Sequence, residues 1–214
     1  MMRITDVVRH LLIINVLIFF GTTIMLDKST SFSLFAIFYP TSPFFKPHQI
    51  ITHMFMHGDE FHLIFNMFAV FMFGPPIEAR WGQKRFLTYY LLTGLGALGL
   101  YMFATYLEVS VFNTIDPEEI KRIPMVGASG AVFGLLTAYA MLYPNSTIQL
   151  LIPPIPLKAK YFVLIYAGIE LFLGLGRFNT GIAHFAHLGG ALFGFLLILY
   201  WNRRGSGSQF DRWD

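Results

Sequence analysis

The chain has 214 residues, of which 55 % are hydrophobic and only 13 % charged; its formal charge is +3 and it has no cysteine. An ordinary soluble domain holds about 25 % charged residues, and a chain of this length folded in water could not hide so much apolar surface, so lipid must solvate part of it. The small, dispersed positive charge argues against a nucleic-acid footprint, which needs a clustered basic face, and the lack of cysteine excludes disulfides, thiolate catalysis and cysteine–zinc sites.

A membrane-spanning helix needs about 20 mostly apolar residues. Six segments come close: Leu11–Leu26, Phe61–Phe73, Phe86–Leu107, Met125–Tyr143, Tyr161–Leu175 and Ile182–Trp201. The first follows Arg3 and Arg9 like a secretory leader, but no small-x-small cleavage site closes it before Asp27-Lys28, so it reads as a retained span. The loop from Asp27 to Glu60 is rich in Phe32, Phe35, Phe38, Tyr39, Phe44 and Phe45 and is expected to lie in the membrane interface as short amphipathic helices. The second span is short and suffices only if its helix begins near Glu60 and runs past Pro75-Pro76. The expected organisation is a cytoplasmic N-terminus (1–10), one six-helix domain (11–202) and a flexible cytoplasmic tail (203–214). With the N-terminus inside, ten of the 15 Lys and Arg residues fall on the cytoplasmic side and five outside, as the positive-inside rule asks. No internal repeat points to a two-fold transporter.

Polar groups inside a bilayer are costly, and each calls for a reason. Gly127-Ala128-Ser129-Gly130 opens the fourth span, and Gly130 with Gly134 forms a face of small residues that lets another helix come close. Ala186-His187-Leu188-Gly189-Gly190 lies early in the sixth, where Gly190 and Gly194 repeat that spacing. His62 and Asn66, four apart at the start of the second, share a helix face. Singly, each has a plainer reading: a packing serine, a histidine bonded to a carbonyl, an interhelical clamp. Together they start three spans that all run from outside to inside, at a common depth of roughly 5–10 Å at 1.5 Å per residue. A serine hydroxyl needs a base to become a nucleophile. His187 can take its proton and later return it to a leaving amine. The Ser129 N–H, His62 and the Asn66 amide can hold an oxyanion, and Phe133, one turn after Ser129, can stack on the His187 ring.

Gly-x-Ser-Gly, Ala-His-x-x-Gly-x-x-x-Gly and His-x-x-x-Asn, in these positions and this order, resemble the rhomboid intramembrane serine proteases. His53–Gly58 is similar to the family's approach to span two, and Glu78-Ala79-Arg80-Trp81-Gly82 to its cytoplasmic turn. The resemblance covers nearly the whole chain. It implies an all-α membrane fold, a six-helix rhomboid-like bundle with a membrane-lying first loop. It also implies cleavage of single-span membrane proteins near the outer face by a Ser129–His187 dyad with no required acid. On this reading His62, Asn66 and the Ser129 N–H form the oxyanion hole, and Gly127, Gly130, Phe133, Gly190 and Gly194 support the site. Span five is a moving wall that admits substrate. No metal or other cofactor is implied; the partners are the lipid bilayer and the substrate spans. The location is a multi-pass protein of a bacterial inner membrane with both termini cytoplasmic, in the minimal form without a seventh span. Departures are His48-Gln49, where many relatives carry Trp-Arg or Trp-Gln, and Phe133, where many carry Tyr. The alternative function is a catalytically silent relative that binds membrane clients.

Three features resist this scheme. Glu170 is the only acid well inside a predicted span; it reads as protonated and bonded to a neighbouring helix or facing water, with a third-member role beside His187 as the alternative, so that Gln in its place should leave most activity. His184 is explained by an interfacial position. His53 and His57 read as hydrogen bonds tying the first loop to span two rather than as a zinc site, for no His-Glu-x-x-His is present.

Overall fold

The computed structural model of the chain describes residues 3–149, 154–176 and 183–204. Within them the chain forms α1 (Asp6–Ile24), α2 (Lys28–Phe35), α3 (Gln49–Thr52), α4 (Glu60–Trp81), α5 (Gln83–Tyr106), α6 (Pro117–Ile120), α7 (Ser129–Leu142), β1 (Thr147–Gln149), β2 (Pro156–Lys158), α8 (Ala159–Leu175) and α9 (His184–Arg204). The six predicted segments fall on α1, α4, α5, α7, α8 and α9. The expected start of the last at Ile182, and the tail beyond Arg204, lie outside the described residues. Four helical stretches are long and apolar enough to cross a membrane: Asp6–Ile24, Glu60–Trp81, Gln83–Val111 and His184–Arg203. At 14 residues α7 is shorter, about 21 Å, and ten of its residues are buried among its neighbours.

The differences from expectation have local causes. The first helix starts at Asp6, five residues early, because its N-terminus is capped from across the bundle. The first N–H groups of a helix lack intrahelical acceptors and attract negative charge. The buried Glu78 carboxylate accepts from the Val7 and Val8 amides at 3.0 and 2.9 Å and from the Thr5 hydroxyl. Glu78 therefore belongs to the packed end of α4, not to a solvated turn. That helix runs through Pro75 and Pro76 to Trp81, and the Pro76 carbonyl accepts from the Tyr143 hydroxyl at 3.2 Å. Gly82, at φ 80°, is the single residue that turns the chain into α5. Between α7 and α8 the chain makes a small antiparallel pair, Ile148 opposite Leu157, which the all-helical expectation did not include.

The first loop is tied down by polar side chains. Gln49 is fully buried: its amide donates to the Ser33 and Phe44 carbonyls, and its oxygen accepts from the Lys46 amide. His48 Nε2 bonds the Leu34 carbonyl, and Ile37 pairs with Met125 just ahead of α7. His53 bonds the Gln49 carbonyl through Nδ1, and its own carbonyl accepts from Gly127. That histidine thus joins the loop to the start of α7 rather than to the second span.

The centre of the bundle is α5, α7 and α9, held close by residues without bulk. A Cβ at Gly190 would collide with the Gly130 carbonyl of α7, and one at Gly130 with Ala97 of α5. Gly194 faces Gly134, and the buried Tyr89 hydroxyl donates to the Gly134 carbonyl at 2.8 Å. On α5, Gly96 makes room for Phe193 of α9 and Ala97 lies against Gly130 and Gly189, while Gly94 makes room for Met54 of the first loop. At the opposite end Arg85 lies 4.3 Å over the Trp201 ring, which meets Trp81 edge-on.

Three outcomes are expected. Gly190→Ala should push α9 from α7 and cost about 1–3 kcal/mol, read as a lower melting temperature in detergent. Glu78→Ala strands buried donors at the start of α1 and should cost a similar amount, about 1–3 kcal/mol, in the same assay, with Glu78→Gln milder. Burial pushes the His53 imidazole down to about 4 and that of His57, with His62 beside it, down to about 3. Both stay neutral in the folded chain, so the unfolded chain binds the extra protons below the ordinary value of 6.5. Stability is therefore full above 6.5 and is lost progressively as pH falls from 6.5 through about 4 for His53 and about 3 for His57. Melting curves recorded across that range should shift downward, and less so for His57→Gln.

Candidate active site

Ser129 is the first residue of α7, and what precedes it explains how it gets there. Gly127 sits at φ 132°, a conformation open to glycine, and donates its N–H to the His53 carbonyl at 2.9 Å. A Cβ there would lie 2.8 Å from the His62 ring and 3.5 Å from the Ser129 hydroxyl. Glycine thus leaves room beside this turn for His62 of α4 and the Ser129 hydroxyl of α7. No side chain caps α7, and the first N–H groups of a helix form a natural site for negative charge.

His187 lies in the first turn of α9, opposite this point. Its neighbour Ala186 presents its carbonyl toward Gly130, and one turn later Gly190 touches the Gly130 backbone. Phe133, one turn beyond Ser129, stacks on the His187 ring with centroids 4.3 Å apart and planes at 13°. The Tyr166 ring of α8 packs against Phe133 as well, with centroids 4.8 Å apart. The imidazole is therefore fixed face-on by the helix that carries the serine. Ser129 and His187 are both partly accessible, while Gly130 and Ala186 beside them are buried.

The α4 residues are anchored from below. Asp59 caps the helix by accepting from the His62 amide at 2.8 Å, and the Gly58 amide donates to His62 Nδ1 at 3.4 Å. The His57 ring meets His62 edge-on at 5.1 Å. Asn66 is buried and donates one amide hydrogen to the His62 carbonyl at 2.9 Å, which leaves its second N–H for another acceptor.

His184 was read differently from the sequence, and Glu170 was read as bonded to a neighbouring helix without its partners. His184 is not an interfacial residue: it is buried, and its Nδ1 lies 2.6 Å from Glu170 Oε2. Glu170 holds both histidines of α9, with Oε1 3.0 Å from His187 Nδ1. The signal was in the sequence, since two histidines three apart share one helix face and the only acid inside a predicted span was there to meet them. Tyr166 left no such trace, because an aromatic in an apolar helix looks like any lipid-facing residue. Gly127, Gly130, Gly190 and Gly194 all fall at close approaches.

A family model described as the Rhomboid domain matches residues 44–204. The Rhomboid protease AarA of Providencia stuartii is 30 % identical over 155 residues, which cover 68 % of this chain and 53 % of that protein. RHOMBOID-like protein 6, mitochondrial, of Arabidopsis thaliana is 35 % identical over 150 residues, 70 % of this chain and 42 % of its own length. The Putative rhomboid protease YdcA of Bacillus subtilis (strain 168) is 32 % identical over 152 residues, 70 % of this chain and 64 % of its own. The chain thus spans 42–64 % of the length of these three relatives. With a helical membrane bundle and a family match across three quarters of its length, the chain belongs to the rhomboid family.

Proposed function

We propose that this chain is an intramembrane serine endopeptidase that cleaves single-span membrane proteins, with Ser129 as nucleophile and His187 as general base. The observation that carries this reading is the Phe133–His187 stack beside the Gly130–Gly190 contact, which draws the imidazole to the helix end that begins with Ser129. The protease names of two of the relatives support it.

The chemistry follows from these positions. His187 accepts the Ser129 Oγ proton as Oγ bonds to the scissile carbonyl carbon, and the carbonyl π pair moves onto oxygen. The Ser129 N–H, the His62 ring and the second Asn66 N–H stabilise that oxyanion, and losing one such donor typically costs about 10²–10³ in rate. The oxyanion collapses, the C–N bond breaks and the leaving amine takes the proton from His187. Water, deprotonated by the same imidazole, then releases the acyl chain from Ser129. The partly accessible site lies at the end shared by the starts of α4, α7 and α9. The positive-inside count supports placing that end at the outer face with both termini cytoplasmic, and the membrane proposed is a bacterial inner membrane.

The test is covalent labelling by a fluorophosphonate probe, with cleavage of a panel of single-span proteins in reconstituted membranes. Wild type should label and cut. Ser129→Ala should do neither, with turnover down by about 10³-fold or more. A folded wild type that neither labels nor cuts points instead to a client-binding relative.

A further inference from the structure

Among the described residues of α8, only Ala159 and Glu170 are buried. Leu164, Phe172 and Leu175 of the same helix are more than 60 % exposed, as befits side chains that face lipid. A carboxylate in such a helix is costly unless paired. Glu170 is 3 % exposed, and each of its oxygens meets one imidazole nitrogen of α9: His184 Nδ1 at 2.6 Å and His187 Nδ1 at 3.0 Å. An ionised carboxylate only accepts, so this geometry is satisfied when both histidines carry their proton on Nδ1. His187 then keeps a bare Nε2.

We infer that Glu170 is a positioning residue for His187: it fixes the Nδ1–H tautomer, leaves Nε2 free to take the Ser129 proton, and stabilises the imidazolium formed in that step while staying ionised itself. This rests on the serine-protease reading above and adds a third member to a dyad for which the family resemblance implied no acid. The two restraints on the ring are complementary. Phe133 fixes its face and Glu170 its Nδ1 edge, so one orientation remains. The Glu170 carboxylate also joins α8 to α9 on the side where α8 is otherwise thinly packed, so the helix expected to move for substrate carries the group that tunes the base. The purely structural alternative is a clamp between α8 and α9 with no preference for the His187 tautomer.

Two readouts separate these. In the full chain in lipid nanodiscs, labelled with 15N-histidine and with His187 assigned by comparison with His187→Gln, the wild-type His187 should carry its proton on Nδ1 at neutral pH. In Glu170→Gln, verified as folded by its melting curve, kcat should fall by about 30-fold or more with KM changed by less than about threefold. Glu170→Asp should recover part of that loss. A wild-type His187 protonated on Nε2 overturns the assignment whether or not any variant folds, and so does a folded Gln variant whose kcat falls by less. Because both are read with a wild type that labels and cuts, either refutes the role of Glu170 alone. A wild type that does neither refutes the protease reading itself.

Discussion

The backbone contact between Gly130 on α7 and Gly190 on α9 sets the position of the groups proposed to react in this bundle. In a bilayer there is no hydrophobic force between helices, because lipid tails are as apolar as leucine, and association depends on close packing and hydrogen bonds. Removing the side chains at the crossing lets two helices approach until their backbones touch. One begins with a hydroxyl and the other carries an imidazole in its first turn. The same seam continues through Gly134 and Gly194, and α5 fits into it with Gly96 and Ala97. Small residues here act through what they leave out: the site is assembled by the absence of bulk and then oriented by one aromatic face, Phe133.

Around that contact the chain places its polar groups at two levels. At the level of Ser129, His53, His57, His62, Asn66, Glu170, His184 and His187 come from four different stretches of chain. Glu170, His184 and His187 bond across α8 and α9, whereas His53, His62 and Asn66 each bond a residue four positions away. At the other end Glu78 closes the start of α1, and Arg85 covers the Trp81–Trp201 pair. Between them polar side chains bond the backbone inside the bundle, as the Tyr89 hydroxyl does to the Gly134 carbonyl and the Thr137 hydroxyl to the Phe133 carbonyl, in keeping with the high cost of an unsatisfied polar group in hydrocarbon.

Much of this was legible in the sequence, because lipid imposes simple rules. Six apolar stretches and three polar clusters at the starts of helices could be read from spacing, and so could the glycine faces of α7 and α9. What could not be read depends on contacts between distant segments. The early start of α1 needs Glu78, some seventy positions away. The continuation of α4 past two prolines looks improbable from local preference and is tolerated because neighbouring helices surround it. Gln49 was noted only as part of the His48-Gln49 departure from the family pattern, yet it is the buried knot of that loop. His184 was misplaced because position along a span was taken as depth, whereas its burial comes from a partner on another helix.

The central claim is spatial: the hydroxyl that opens α7 and the imidazole in the first turn of α9 face one pocket. It is tested most directly by an experimental structure of the chain in lipid after reaction with a phosphonate. The account predicts phosphorus bonded to Ser129 Oγ and the phosphoryl oxygen within reach of the Ser129 N–H and His62. His187 should remain stacked on Phe133 with Nε2 turned toward the adduct. An adduct on another residue, or an imidazole directed away from Ser129, would contradict it.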